Sequence, residues 1–248
     1  LAIGHQRRFL PSYTLARDLI ADGAIGKVEL ITSISHDGLP NYASHQTDMF
    51  RYLLGDEECV WAMGNVERKT ERYERGTRIE DCAIANFEFA SGARATIYAD
   101  VSPEVYQGAK IYGSDGIIQL TTTDLRLLSG SRGKGWEHHR PEGRFASHAE
   151  HGARFEWQEA HPAQADALAD WIEEKSESFR NAGVHGYRAL EMLMAVYESA
   201  RLHEKTVLPL QTRLNPLDLM IDNGQLPVER PGRFDIRARF LRGEEMQG

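Results

Sequence analysis

Two tight turns constrain this chain more than any other feature in it. Ala90-Ser91-Gly92-Ala93 joins a run in which Ala83, Ala85, Phe87 and Phe89 alternate with Ile84, Asn86 and Glu88 to a run in which Ala95, Ile97 and Ala99 alternate with Arg94, Thr96 and Tyr98. Gly113-Ser114-Asp115-Gly116 does the same for Ile111-Tyr112 and Ile117-Ile118-Gln119-Leu120, and Leu125-Arg126-Leu127-Leu128 extends the series. Alternation with period two marks half-buried strands. Connections this short join only antiparallel neighbours, because a parallel crossover needs about a dozen residues. An antiparallel meander follows, with a strand added before it (Val60, Ala62 and Gly64 alternating with Trp61 and Met63) and one after it (Ala153 to Gln158).

Helical periodicity flanks the meander. Pro11 and Ser12 open a helix carrying Leu15, Leu19 and Ile20; Gly23 and Gly26 end it, and Lys27 to Ile34 reads as a strand. Later, 163–176 carries Ala167, Leu168 and Trp171 on one face, and 187–203 carries Leu190, Leu193, Met194, Tyr197 and Ala200. Leu1 to Phe9 resembles a strand running out of a preceding unit, Val207 to Leu210 a closing strand, and 211–248 an arm rich in Pro, Gly and Arg. The expected fold class is α+β: a large, mostly antiparallel open sheet with helices packed on one face. The other face, carrying Ile84, Tyr98, Tyr112 and Trp157, is expected to bury itself against a second copy in a homodimer or homotetramer. A one-residue slip in register would exchange that set for its neighbours.

The chemistry concentrates in one stretch, Asn41-Tyr42-Ala43-Ser44-His45-Gln46-Thr47-Asp48, which feeds a short amphipathic helix with Met49, Phe50, Leu53 and Leu54 on its apolar stripe and Gly55 at its C-cap. His45 enters at the positive end of the helix dipole, which disfavours an imidazolium, so a neutral ring able to take a hydroxyl proton is expected. Asp48, at i+3, either orients that ring or pairs with Arg51. A histidine at a helix start is equally a surface cap.

Composition narrows the field. The net charge of -8 and pI near 5.7 argue against a nucleic-acid surface. No apolar run approaches the roughly 18 residues of a membrane span, and the first residues do not form a signal peptide. Cys59 and Cys82 suggest neither a disulfide framework nor a zinc spacing and fit a reducing, cytoplasmic setting. Residues 129–152 mix five glycines with His138, His139, His148 and His151. The loop is expected to be mobile unless held, and it offers no ligand set for a metal.

Three pieces, in order, are similar to the C-terminal domain of the Gfo/Idh/MocA group of NAD(P)-dependent oxidoreductases, over roughly residues 1–210. Arg7-Arg8-Phe9-Leu10-Pro11 with Gly23-Ala24-Ile25-Gly26-Lys27-Val28 resembles the family's junction helix and its exit. Asn41 to Asp48 resembles its histidine motif, and Gly186-Tyr187-Arg188-Ala189-Leu190 through Val207-Leu208-Pro209 its final helix and closing strand. The resemblance implies a dihydrodipicolinate-reductase-like domain at 11–210, the end of a missing Rossmann domain at 1–10, and an arm at 211–248. It implies oxidation of a hydroxyl on a small-molecule substrate (a sugar, polyol or related cyclic compound), with NAD or NADP held mainly by the missing domain. The chain alone, which has no glycine-rich dinucleotide turn and no Lys-Pro dipeptide, is expected to be inactive. His45 becomes the proton-transfer group, with Asn41 standing where many members carry Asp; asparagine cannot take a proton. His36, Asp37, Tyr42 and Asp48 become substrate ligands, and Arg7 a cofactor or substrate contact or an interdomain ion pair. Two alternatives share the fold: an NAD-dependent glycoside hydrolase, and a non-catalytic assembly module.

Overall fold

The computed structural model describes residues 1–101, 108–145 and 156–236. Nine strands form one open sheet in the order β10-β9-β8-β7-β1-β6-β5-β2-β11. They are β1 (Val28–Ser35), β2 (Cys59–Glu67), β5 (Cys82–Phe89), β6 (Arg94–Ala99), β7 (Gly108–Gly113), β8 (Gly116–Thr121), β9 (Leu125–Ser129), β10 (Trp136–His139) and β11 (Thr206–Val207). The hairpins β5–β6 and β7–β8 form around the two turns as their alternation predicts. β1 slots between these hairpins, antiparallel to β7 and parallel to β6, which makes the sheet mixed. Short turns dictate the pairing inside each hairpin; they say nothing about which strand closes the gap between two hairpins.

One face is covered. Ala83, Ala85, Phe87, Phe89, Ala95, Ile97 and Ala99 are buried under α1 (Pro11–Ala21), α2 (Ser44–Leu53) and a long helix, Gly183–Leu202. That helix lies directly on β2: a Cβ on Gly64 would sit 2.7 Å from Val196 Cγ1 and 2.4 Å from the Ile84 carbonyl oxygen, so only glycine fits there. Phe50 of α2 packs on Phe87 with ring centroids 6.4 Å apart. The helix expected at 163–176 runs instead from His161 to Ile172 (α3) and buries no residue, so the long helix is α4 and α3 covers none of the sheet. α3 holds the start of the chain: Gln164 donates to the Ile3 carbonyl at 3.0 Å, and Trp171 stacks on Phe179.

The open face follows from the register. Trp61, Glu88, Arg94, Leu30, Tyr112, Ile117, Leu128 and Trp136 form one continuous row across eight strands. Asn65, Ile84, Tyr98 and Ile34 form another. Ile84, Tyr98 and Tyr112 therefore lie where expected. Trp157 does not: residues Glu156–Ala160 make a π-helical turn, with 153–155 outside the described residues.

Other expectations change too. Leu1 to Phe9 is not a strand; a single bridge from Ala2 to Ala182 precedes a 3-10 turn, Gln6–Phe9, because Arg7 and Arg8 are both drawn into the interior. Within 129–152, Trp136–His139 is an ordered edge strand on β9, and His138 meets Asp124 at 2.9 Å. His148 and His151 lie outside the described residues. The arm, through residue 236, folds as α5 (Pro216–Asp222), capped by Asn215, and β12 (Arg230–Asp235). β12 pairs with β3 (Thr70–Glu74) in a second small sheet that includes β4 (Thr77–Arg78). No helix among the described residues is long and apolar enough to cross a membrane.

Candidate active site

The site is built on the start of α2. A π-helical turn, Leu39–Ala43, leads into the helix, and the Ser44 hydroxyl donates to the Asn41 carbonyl at 2.6 Å. Thr47 Oγ1 donates to the Ala189 carbonyl at 3.1 Å, fastening α2 to α4 two residues past His45. Gly55 and Asp56 end the helix: the Gly55 amide reaches the Tyr52 carbonyl, the Asp56 amide reaches the Arg51 carbonyl, and Gly55 has φ of +72°.

The His45 ring meets His5 edge-on at 5.1 Å and Tyr42 at 5.9 Å. Its Nδ1 is buried and has no hydrogen-bond partner. Burial first, then the charge of Arg7 and the neighbouring His5, hold its pKa well below the usual histidine range; Asp48 pulls the other way and loses. The ring is therefore neutral at pH 7. The helix dipole favours the same state, but burial beside a guanidinium produces it.

Asp48 does neither of the jobs expected of it. Arg8 Nε and Nη2 donate to its two oxygens at 2.8 Å each, and His5 Nδ1 stands 3.4 Å from Oδ1. Only 2% exposed, it has no face left for a substrate or for His45. Arg51 turns away to the Asp56 and Glu57 carbonyls and to Glu58. Burial would raise the Asp48 carboxyl, but its contacts with His5 and Arg8 outweigh that and bring it down to about 2.

The remaining candidates converge. Arg7 Nη2 donates to the Tyr42 hydroxyl at 2.6 Å while its guanidinium lies 4.7 Å over the same ring. The His36 ring packs on the same tyrosine, with ring centroids 4.0 Å apart, and its Nδ1 is 3.1 Å from an Asp37 carboxyl oxygen. Asn41 sits in the turn just before the helix, its side chain partly exposed. Sequence reasoning misses His5 and His161. His5 comes in across 40 residues through the 3-10 turn, and His161, stacked on Trp157 at 4.6 Å, acts electrostatically on His45 from the start of α3. Neither carries a local signal, since only tertiary packing makes them neighbours. Among the described residues no group of three metal-ligating side chains forms.

Such a cluster, with a neutral proton acceptor beside hydroxyl, imidazole and guanidinium groups, suits a polyhydroxylated substrate. The chain is 29% identical to myo-inositol 2-dehydrogenase of Thermotoga maritima in a match covering 54% of this chain and 46% of that protein. Among solved structures it is similar to aldose-aldose oxidoreductase from Caulobacter crescentus, solved with glycerol (TM-score 0.64, 22% identity, 84% of this chain and 64% of that one). It is also similar to levoglucosan dehydrogenase, solved with NADH and levoglucosan (TM-score 0.65, 18% identity, 83% and 65%). At these identities the structural likeness is one of fold. The chain thus spans about half the length of the curated relative and under two thirds of the solved ones. The model of the oxidoreductase family's C-terminal alpha/beta domain matches residues 36–208, and the chain belongs to that family, Gfo/Idh/MocA.

Proposed function

We propose that the chain is the substrate-binding and oligomerisation part of an NAD(P)-dependent dehydrogenase acting on a hydroxyl of a sugar, polyol or related cyclic substrate. The observation that carries this reading is the neutral His45 ring beside Tyr42, with His36 and Arg7 packed on that tyrosine, in a chain of this family. A nicotinamide bound in the full-length protein would supply the hydride acceptor. His45 takes the hydroxyl proton in this reading, and Tyr42, His36 and Asp37 hold neighbouring hydroxyls. Asn41 and Arg7 belong to the same cluster, Asn41 in the turn before α2 and Arg7 on the Tyr42 hydroxyl.

The dinucleotide itself fits this chain poorly. A pyrophosphate needs a glycine-rich turn open at a helix start. Gly183 and Gly186, at the start of α4, are instead backed by Leu1 and Ile3, whose side-chain atoms would lie 2.8 and 2.7 Å from a Cβ at each. The domain that precedes this one in the family is the place for it. A cytoplasmic setting belongs to the same reading, as the two free thiols, Cys59 and Cys82, suit a reducing compartment.

The test is turnover by the full-length protein on a panel of polyols and aldoses with NAD or NADP, followed by nicotinamide absorbance. Reduction that requires both substrate and added dinucleotide is expected. Product formed by glycoside hydrolysis without added cofactor would favour the hydrolase, and no turnover at all the assembly module.

The open sheet face is the oligomer interface in this proposal. Met63, Ile84, Tyr98, Trp136 and Val207 are 50%, 43%, 41%, 48% and 60% exposed, and Lys110, Arg126 and Glu88 are interspersed among them. Joining two such faces should bury more than the ~1,600 Å² of a standard interface. Light scattering at micromolar concentration should return at least two chains, and Tyr98→Glu should return one. A wild-type mass of one chain would end the proposal.

A further inference from the structure

The loop that carries His36 and Asp37 is held from below by two carboxylates. As the chain leaves β1, Asp37 and Gly38 adopt φ of +59° and +81°, a conformation that turns successive amides to one side and makes an anion-binding concavity. The anion is built in. Asp100, just past the end of β6, takes the Asp37 amide on Oδ1 at 3.0 Å and the Gly38 amide on Oδ2 at 2.9 Å. The next amide, Leu39, donates to Glu80 Oε1 at 2.6 Å.

Both carboxylates are themselves fixed. Arg72 Nη1 lies 3.2 Å from Asp100 Oδ2, and the same guanidinium donates to the Glu80 and Asp81 carbonyls. The Asp100 amide returns to the Ser35 carbonyl at 3.0 Å, closing the strand end on itself. Tyr197 of α4 donates its hydroxyl to Glu80 Oε2. Glu80 is fully buried, and burial raises its carboxyl against the pull of Tyr197 and the Leu39 amide; burial and that carboxyl push Tyr197 well up, so the phenol stays a donor.

A buried carboxylate such as Glu80 adds little net stability to a fold, because desolvation consumes most of what its partners return, and the partly exposed Asp100 pair is screened by water. What these two secure is a place. Three successive amides are pinned between the sheet and α4, and the side chains leaving that backbone are His36, on the Tyr42 ring, and Asp37, on His36.

We propose that Asp100 and Glu80 are positioning residues of the active site, which set the His36–Tyr42 wall by holding the amides of Asp37, Gly38 and Leu39. This rests on the reading of the His45 cluster as a hydroxyl-oxidising site. His45 is fastened separately, through Thr47 and α2, so loss of the clamp loosens substrate without moving the proton acceptor.

Asp100 offers a clean test, since its own φ is +56° and both asparagine and glycine tolerate that region. In the full-length protein, Asp100→Asn keeps one acceptor and Asp100→Gly keeps none. KM for the best substrate of the panel should rise about tenfold in the first and further in the second, with kcat within about threefold of wild type, the split that marks lost binding of substrate and transition state alike. The His36 ring-proton NMR signal, shifted by the Tyr42 ring, should move toward its free position while the His45 signal stays. Unchanged KM and an unchanged His36 signal, with only a lower Tm, would overturn the inference. If the wild type turns over nothing in the panel, the functional reading falls and the substrate-facing half of this inference with it. An unmoved His36 signal overturns the clamp on its own.

Discussion

Asp48→Ala is expected to cost this domain about 3–5 kcal/mol of stability, the penalty for removing one partner of a buried ion pair. Arg8 is 1% exposed and clamped between Asp48 and Asp56, with Nη1 2.7 Å from Asp56 Oδ1. Asp56 keeps part of the compensation, which places the loss toward the lower end of the range. The pair also sets the response to acid. Asp48 titrates near 2 in the fold and near an ordinary carboxyl value when unfolded, so the unfolded chain takes up its proton first. A depressed carboxyl stabilises the fold fully above about pH 4, and that contribution, on the order of 2 kcal/mol, is lost as pH falls from about 4 to 2. Urea midpoints measured at pH 7 and at pH 3 check both points. Asp48→Asn should flatten the acid dependence, and a variant as stable as wild type at pH 7 would sink the argument.

His45→Ala should behave in the opposite way, sparing stability and removing activity. Its buried Nδ1 makes no hydrogen bond, so Tm should move by only a few degrees. In the full-length protein kcat/KM should fall about 10²–10⁴-fold, the usual worth of a positioned general base. The pH profile carries the sign. The ring acts when neutral, and burial beside Arg7 keeps it neutral to a pH well below the ordinary histidine range. The rate should therefore be flat through pH 7 and decline only below the usual histidine value, in step with protonation. A decline centred at or above pH 6.5, or a His45→Ala protein of undiminished rate, would remove His45 from the mechanism.

Much of the scaffold was legible in the residues. Ala83 to Ala99 predicts its own hairpin and its buried face, because alternation reports which side of a strand leaves water and a four-residue turn leaves no other pairing. The stripe from Met49 to Leu54, closed by Gly55, predicts α2 and puts His45 in its first turn for the same local reason. The motif resemblance named the family that the residue 36–208 match assigns. Tertiary structure decided the rest, and in each case the deciding contact spans a distance no periodicity measures. Ala167 to Trp171 has a helical pattern, yet α3 buries nothing under the sheet, since its partners are the start of the chain and Phe179. Trp157 sits in a period-two pattern and folds as a π turn. Asp48 stands within reach of His45 and Arg51 along the helix but is claimed by Arg8, forty residues earlier, because a bidentate guanidinium in a dry interior outcompetes any neighbour on its own helix. His5 reaches His45 by the same fold-back. Local sequence determines what a segment can form and which face it hides. Which charged groups meet in the interior is decided when the whole chain closes, because only then are they desolvated together.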